Sequence, residues 1–152
     1  MRLALFQPDI AGNVGAAIRV AACFNAAVDV IGPCGFPMNE KKLRRAAMDY
    51  AALAQPSLFD DWAAFRKTNE QGAQRLVLMT TKGATSLWSF RFEPNDVILL
   101  GSETAGAPSH VHDAADARVF IPLAPQARSL NVSVAGAIAL AEANRQFSLC
   151  DT

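Results

Sequence analysis

Five apolar runs of strand length constrain the fold of this chain more than any other feature of its sequence. They are "LALF" (3–6), "VDVIG" (28–32), "RLVLMTT" (75–81), "DVILLG" (96–101) and "ARVFIPL" (117–123). Their side chains are apolar at successive positions, as is typical of strands covered on both faces. Segments with helical character separate or follow the runs, at 11–27, 39–51, 60–72 and 129–147. This alternation predicts one α/β domain with a mostly parallel sheet and helices on both faces.

The composition excludes several classes of protein. Hydrophobic residues make up 51% of the 152 residues and charged residues 18%, which favours a folded globular domain over a disordered or fibrous chain. No apolar stretch approaches the roughly 20 residues that cross a bilayer, and "MRLALFQPDI" (1–10) is too short in its apolar part for a signal peptide. The three cysteines lack CxxC spacing, which argues against a disulfide framework and a structural zinc site. We therefore expect a single cytoplasmic domain over residues 1–152, with no membrane segment.

Three polar or glycine-containing stretches directly follow predicted strands: "TTKG" (80–83), "GSETAGAP" (101–108) and "IPLAPQARS" (121–129). In such sheets the ligand crevice lies beyond the carboxyl ends of the strands, so we expect all three stretches at one rim. Gly101 and Gly106 would let backbone approach a flat ligand closely. An ordinary turn with one solvated glutamate explains the same residues equally well. The stretch matches neither the GxGxxG motif nor a P-loop.

Two groups of basic side chains are candidate contacts for phosphate or for developing negative charge. Arg19 is the only charged residue of "GNVGAAIRVAACFNAA" (12–27), and its small neighbours would let a ligand or helix approach. The run "EKKLRRA" (40–46) adds Lys41, Lys42, Arg44 and Arg45. Such a run suits a phosphate-binding patch, but solvated helix faces explain both groups as well.

The start of the last predicted helix carries three polar side chains, Ser129, Asn131 and Ser133, for which capping is the ordinary role. Behind them the helix is apolar on all sides from Val134 to Ala141. A helix at the end of a small domain buries its whole circumference only if something else covers it. A partner subunit is the simplest cover.

Two other patterns are interpreted as structural. "SHVHD" (109–113) holds both histidines, but a metal site needs a third ligand at convincing spacing, so we interpret it as a loop. Trp88, Phe90 and Phe92 alternate in "SLWSFRF" (86–92), which favours strand-like packing over a platform for stacked bases.

Taken together, "QPDIAGNVGAAIR" (7–19), "GSETAGAP" and "IPLAPQARSLNVSVAGAIALAE" (121–142) resemble the three motifs of the SpoU-type branch of the SPOUT methyltransferases. "KKLRRAAMDY" (41–50) and "TTKG" narrow the resemblance to small, single-domain tRNA 2′-O-methyltransferases that modify the wobble cytidine or uridine. The resemblance implies an α/β fold whose C-terminal part forms a trefoil knot. It also implies S-adenosyl-L-methionine as cofactor, no metal, the tRNA anticodon loop as substrate, and a homodimer.

The resemblance also implies residue roles. Cofactor contacts would come from Met79, Gly101, Glu103, Ile121, Ser129 and Leu130. The reaction would involve Arg19, Asn131 and Ser129. RNA would meet Lys41, Lys42, Arg44 and Arg45. Arg19 is permanently protonated, so stabilising a developing alkoxide or gripping a phosphate suits it better than acting as a base.

This chain departs from the family pattern at four positions: Ala105, where an Arg is common; Ala107, where a bulkier apolar residue is; Val134, where an Asn is; and Ala141, where an aromatic is. Two alternative functions therefore stay open. One is a ribosomal-RNA ribose 2′-O-methyltransferase of the same branch. The other is an RNA- or nucleotide-binding module that is catalytically weak.

Overall fold

Seven strands form one sheet in the part of the chain that the computed structural model describes, residues 1–47, 50, 53 and 55–150. The strands are β1 (Arg2–Phe6), β2 (Ala27–Ile31), β3 (Ser57–Phe59), β4 (Leu76–Met79), β5 (Thr85–Ser86), β6 (Val97–Leu100) and β7 (Ala117–Phe120). Their order across the sheet is β3-β2-β1-β6-β4-β7-β5. Every pairing between them is parallel, which confirms the predicted α/β architecture.

Helices cover both faces of this sheet. They are α1 (Ala11–Cys23), α2 (Glu40–Ala47), α3 (Trp62–Gln71), α4 (Ser109–Ala114) and α5 (Val132–Cys150). Leu3 and Leu5 of β1 point to one face, where α1, α2 and α5 contribute apolar side chains to a shared core. Ala4 and Phe6 point to the other face, where α3 and α4 pack. Alternate residues of one strand therefore enter two cores, which explains why the strands are apolar at successive positions.

Two predicted helices end earlier than expected. The sequence pattern predicts that the first reaches Ala27, but α1 ends at Cys23. Asn25 adopts a left-handed φ of 52°, and Ala27 already belongs to β2. Asparagine tolerates that conformation better than most residues, and the alanines around it suit either element. The helix predicted over 39–51 is described over Glu40–Ala47, and residues 48, 49 and 51 lie outside the described part of the chain.

The interpretation of 109–113 as a loop is wrong, because these residues form most of α4. Pro108 precedes the helix in an extended conformation, and Val111 on the helix itself is fully buried. The His110 ring lies 6.1 Å from the Trp62 ring, measured between centroids, so one histidine joins an aromatic cluster. No group of three or more His, Cys, Asp or Glu that could hold a metal occurs among the residues described.

The strand-like packing expected for Trp88, Phe90 and Phe92 is only partly correct. The described strand β5 ends at Ser86, and the chain turns after it. Phe90 and Phe92 pack edge to face with ring centroids 4.9 Å apart, whereas the Trp88 side chain is 59% exposed. Of the three alternating aromatic residues, two therefore pack against each other and the third is exposed.

The edge of the sheet nearest β5 has an unusual path. Strand β7 lies between β4 and β5, so residues 80–84 must cross its carboxyl end. The Thr80 amide donates to Val119 at 2.9 Å and the Ala84 amide donates to Arg118 at 3.1 Å. A Cβ at Gly83 would lie 2.6 Å from the Val119 carbonyl carbon, so glycine is required for this close crossing. In the described chain, no helix has the length and apolar character needed to cross a membrane.

Candidate active site

A cavity of about 480 Å³ opens at the carboxyl ends of β4, β6 and β7. Its walls come from the segments that follow these strands and from the start of α5. This confirms that 80–83, 101–108 and 121–129 meet at one rim. Its lining includes every residue that the family resemblance assigns to the cofactor, together with Asn131: Met79, Gly101, Glu103, Ile121, Ser129, Leu130 and Asn131.

The size and lining of this cavity suit a nucleoside-sized ligand. Its volume lies within the roughly 300–1,000 Å³ typical of small-molecule sites. Leu100, Ile121 and Leu123 give it apolar walls, while Thr80 and Ser129 bring hydroxyl groups to the same space. A flat apolar ring with polar edges is the ligand chemistry that such a lining can hold.

Glu103 connects the rim to the start of α1. Its Oε2 accepts from the Asp9 amide at 2.7 Å, and its Oε1 accepts from Asn13 Nδ2 at 3.0 Å and from the Ile10 amide at 3.3 Å. Ile10 is the N-cap of α1 and has no side-chain oxygen to cap the helix. A carboxylate is stabilised at a helix N-terminus by the free amide groups and the helix dipole. Glu103 therefore accepts from the N-cap amide of α1, which in a capping box is the role of a side chain within the helix itself.

A second contact in the opposite direction ties the same two segments together. Asp9 Oδ2 accepts from the Thr104 hydroxyl at 2.7 Å and from the Thr104 amide at 3.1 Å. The hydroxyl hydrogen bond, followed by the amide hydrogen bond, lowers the pKa of the Asp9 carboxyl below its usual range. Two carboxylates, each accepting from the other's segment, fix the loop after β1 against the loop after β6.

Asn13 and Asn131 extend this junction to α5. Asn131 Nδ2 donates to Asn13 Oδ1 at 3.0 Å. Asn131 Oδ1 accepts from the Ser133 amide at 2.9 Å and the Ser133 hydroxyl at 2.6 Å, so it caps α5, as its position predicted. We call the chain of side chains Glu103, Asn13 and Asn131 the relay. An ionised carboxylate only accepts hydrogen bonds, so Asn13 must donate to Glu103 and can only accept from Asn131.

Gly101 and Gly106 close the turn that carries Glu103. Ser102 and Gly106 exchange backbone hydrogen bonds of 3.1 and 2.9 Å. A Cβ at Gly101 would lie 2.6 Å from the Gly106 carbonyl carbon and 2.7 Å from the Ala107 nitrogen. Gly106 has a φ of 67°, but a Cβ there would meet nothing within 4 Å. Gly101 is thus required by the turn's own backbone, whatever ligand lies beside it.

Alanine at these two glycines is expected to have unequal effects on the free energy of unfolding. Gly101→Ala forces backbone against backbone and should cost about 3 kcal/mol, at the upper end for overpacking. Gly106→Ala meets only the left-handed conformation and should cost about 1 kcal/mol. Urea unfolding of both variants beside the unaltered protein measures the difference. Equal costs would contradict the collision at position 101.

Arg19 lies apart from the described residues that line the cavity. It is exposed on α1, and its guanidinium carbon lies 5.2 Å from the centroid of the Tyr50 ring. Helix α2, which packs against α1, carries Lys41 and Arg45 with exposed side chains. The side chains of Lys42 and Arg44 lie outside the described part of the structure. Arg19, Lys41 and Arg45 therefore belong to the α1–α2 surface, and the cavity holds the other candidates.

Four residues were not predicted from the sequence: Asp9, Asn13 and Thr104, which lie around Glu103, and Tyr50, which contacts Arg19. A signal for the first two was present. "QPDIAGN" (7–13) directly follows a predicted strand, so the rule that placed three stretches at the rim applies to it as well. Because β1 is the neighbour of β6 in the sheet, its following loop meets the loop that carries Glu103.

Comparisons with known proteins point to one family. The model of the SpoU rRNA Methylase family matches residues 1–141. A protein of Beijerinckia indica subsp. indica named tRNA (cytidine(34)-2′-O)-methyltransferase is 46% identical over 144 residues, 95% of this chain and 90% of its own length. A structure described as "Structural insights into the 2-OH methylation of C/U34 on tRNA" has a TM-score of 0.90 at 35% identity, covering 97% of this chain and 95% of the other. The SpoU methyltransferase AviRb from Streptomyces viridochromogenes, in complex with AdoMet, has a TM-score of 0.90 at 25% identity, over 98% of this chain and 61% of its own.

Proposed function

Because this chain belongs to the SpoU methylase family, we propose that it transfers a methyl group from S-adenosyl-L-methionine to the ribose 2′-oxygen of the tRNA wobble nucleotide, cytidine 34 or uridine 34. The observation that carries the proposal is the cavity at the strand ends, which is built from the stretches by which the chain resembles this family. The named relative at 46% identity supports the choice of tRNA as substrate.

The residues of the cavity fit the proposed cofactor. Apolar walls at Met79, Ile121 and Leu130 suit the adenine ring, and the turn at Gly101 offers backbone groups to its edges. The carboxylate of Glu103 is engaged by the start of α1, so it forms part of the wall and holds that wall in place. S-adenosyl-L-methionine, when bound, supplies a methyl group already activated on a sulfonium.

The chain's own contribution to the reaction is alignment and charge. Holding the ribose hydroxyl in line with the methyl group supplies much of the rate through orientation alone. The relay fixes Asn131, with Ser129 beside it, at the border of the cavity. Arg19 does not line the cavity of its own chain, and its proposed role is to meet the bound RNA from the α1–α2 surface. There it would stabilise the developing alkoxide or bind the adjacent phosphate, because a guanidinium is a poor base and a strong ligand for anionic oxygen.

The proposed enzyme is a homodimer. On α5 the Val134 side chain is 46% exposed and Ala141 is exposed as well, although both are apolar. At the mouth of the cavity Ile10 is 52% exposed and Leu130 is 37% exposed. A second copy of the chain would cover this apolar surface of α1 and α5. The small side chain of Ala141, where the family resemblance leads us to expect an aromatic ring, would let the helices approach closely.

Sedimentation velocity at micromolar concentration is expected to show a dimer. Val134→Asp should shift it towards monomer, because a buried, unpaired carboxylate is costly at an apolar interface. Lys67→Asp on α3, which packs on the opposite face of the sheet, serves as the matched control. If the unaltered protein sediments as a monomer, the proposed homodimer is wrong.

The exposed side chains of Lys41 and Arg45 are proposed to contact tRNA phosphates. Replacing both by alanine should weaken tRNA binding and reduce the slope of log Kd against log salt by about 1.5, since each phosphate contact contributes roughly 0.7–0.9. Arg66→Ala combined with Lys67→Ala removes the same number of positive charges from α3. Filter binding across a salt series measures the slopes, and equal slopes for both variants would remove α2 from the RNA interface.

We also propose that the C-terminal part of the chain is threaded as a trefoil knot. The support is the crossing of 80–84 over β7, which leaves β7 enclosed between two strands that precede it in sequence. Most proteins avoid such threading, so a knot is a strong family marker. We place the enzyme in the cytoplasm with its tRNA substrate.

The proposed activity is tested by methyl transfer from labelled S-adenosyl-L-methionine to a tRNA transcript. The matched control is the same tRNA with a 2′-deoxy nucleotide at the wobble position, which lacks only the acceptor oxygen. Label should enter the first RNA and not the second. Methylation of ribosomal RNA instead would favour a ribosomal-RNA ribose 2′-O-methyltransferase. Tight tRNA binding with no transfer to either RNA would favour the binding module.

A further inference from the structure

The contact between Arg19 and Tyr50 joins two elements that the proposed reaction uses separately. Arg19 lies on α1, and Tyr50 follows the basic helix α2 in sequence. The guanidinium carbon lies over the aromatic ring, 5.2 Å from its centroid, which is within the distance of a cation–π interaction. The Tyr50 side chain is half-buried, so its ring is less mobile than a fully exposed side chain would be.

We propose that Tyr50 is a positioning residue for Arg19 in methyl transfer. This rests on the proposed function, because it requires that Arg19 acts on the substrate. An exposed arginine has many rotamers, and fixing one of them before the substrate arrives lowers the entropy lost in the reaction. Contact with a ring face uses the flat surface of the guanidinium and none of its N–H donors, which point outward in its plane. The ring therefore restricts the guanidinium through its face and does not compete with the hydrogen bonds of its edge.

The location of Tyr50 also links this orientation to the RNA surface. The exposed side chains of Lys41 and Arg45 precede it on α2, and α2 packs directly against α1. A tRNA that docks on α2 therefore contacts the element that leads to the ring holding Arg19. Losing the ring of Tyr50 is therefore expected to lower the rate of methyl transfer at saturating tRNA and to leave the Kd for tRNA nearly unchanged.

The test compares variants that keep and lose the aromatic ring. Tyr50→Phe retains the ring and should keep the single-turnover rate within about twofold. Tyr50→Leu and Tyr50→Met remove it and should lower the rate at saturating tRNA by about three- to thirtyfold, the range expected for a cation–π contact. Measuring two ring-free variants prevents a packing defect peculiar to one side chain from deciding the result.

A double-mutant cycle separates positioning from a general structural role. In an Arg19→Ala background, Tyr50→Leu should cause no further loss of rate. The proposal is overturned if the ring-free variants keep the normal rate, if Tyr50→Phe loses as much as they do, or if Tyr50→Leu lowers the rate equally in both backgrounds. Failure of the proposed function appears differently, as an unaltered protein that does not methylate tRNA.

Discussion

Arg19→Ala is expected to lower the single-turnover rate of methylation at saturating tRNA by about two orders of magnitude or more, the usual loss when a group that stabilises developing negative charge is removed. The fold should survive, because the side chain is exposed on α1 and the core beneath it is formed by Val14, Ala17 and Ile18. Arg19→Lys keeps the charge but loses the planar fork, so it should recover only part of the rate.

Arg66→Ala is the matched control for this experiment. Arg66 lies on α3, which packs on the opposite face of the sheet, and pairs with Glu70 at 2.7 Å. Its loss removes an arginine together with the ion pair to Glu70 and the hydrogen bond to the buried Asn69, so it tests a loss of stability without approaching the proposed site. A near-normal rate at saturation for Arg19→Ala, together with weaker tRNA affinity, would make Arg19 a binding residue and exclude it from the chemistry.

The strands of this protein could be predicted from sequence where burial dominates. Runs such as 97–100 are apolar at every position because both faces of the sheet are covered, and a short apolar run of this kind is typical of a buried parallel strand. Strand β3 could not be recognised, because it has three residues and its Leu58 side chain is 49% exposed. Strand β5 has two residues and exists only because β7 offers it an edge.

The candidate site was predictable in its location and not in its connections. The rule that ligands bind at the carboxyl ends of parallel strands placed Gly101, Ile121 and Ser129 together. The partners of Glu103 lie 90 to 94 residues away along the chain, so no local pattern could pair them. The contact of Arg19 with Tyr50 likewise depends on how α1 packs against α2. Sequence spacing identifies which residues are unusual, and tertiary packing decides what they touch.

Glu103 explains why a turn of small residues carries one carboxylate. Its charge gives the relay a fixed polarity: Asn13 donates to Glu103, Asn131 donates to Asn13, and the oxygen of Asn131 remains to cap α5. A neutral amide at 103 would not impose this direction, because it offers a donor as well as an acceptor. The carboxylate therefore sets the orientation of an amide at the border of the cavity, two side chains away.

Glu103→Gln is accordingly expected to damage both stability and activity with almost no change in shape. If its amide group takes the place of Oε1, it faces both Asn13 and the Ile10 amide. Both asparagines must then turn over, and α5 loses its cap at about 1 kcal/mol. If the amide group takes the place of Oε2, it meets the Asp9 amide, donor against donor. Adding the lost charge-assisted hydrogen bond, the free energy of unfolding should fall by about 2 kcal/mol.

In single-turnover assays Glu103→Gln should lower the methylation rate at saturating tRNA, because the amide of Asn131 no longer holds one orientation. Thr104→Val is the matched control: it removes the hydroxyl hydrogen bond to Asp9 from the same turn and leaves the relay intact. It should destabilise the protein by a similar or smaller amount and keep most of the rate. If both variants lose stability and rate in the same proportion, the turn affects the reaction only by stabilising the fold. If Glu103→Gln alone loses rate beyond its loss of stability, the polarity of the relay contributes to the reaction.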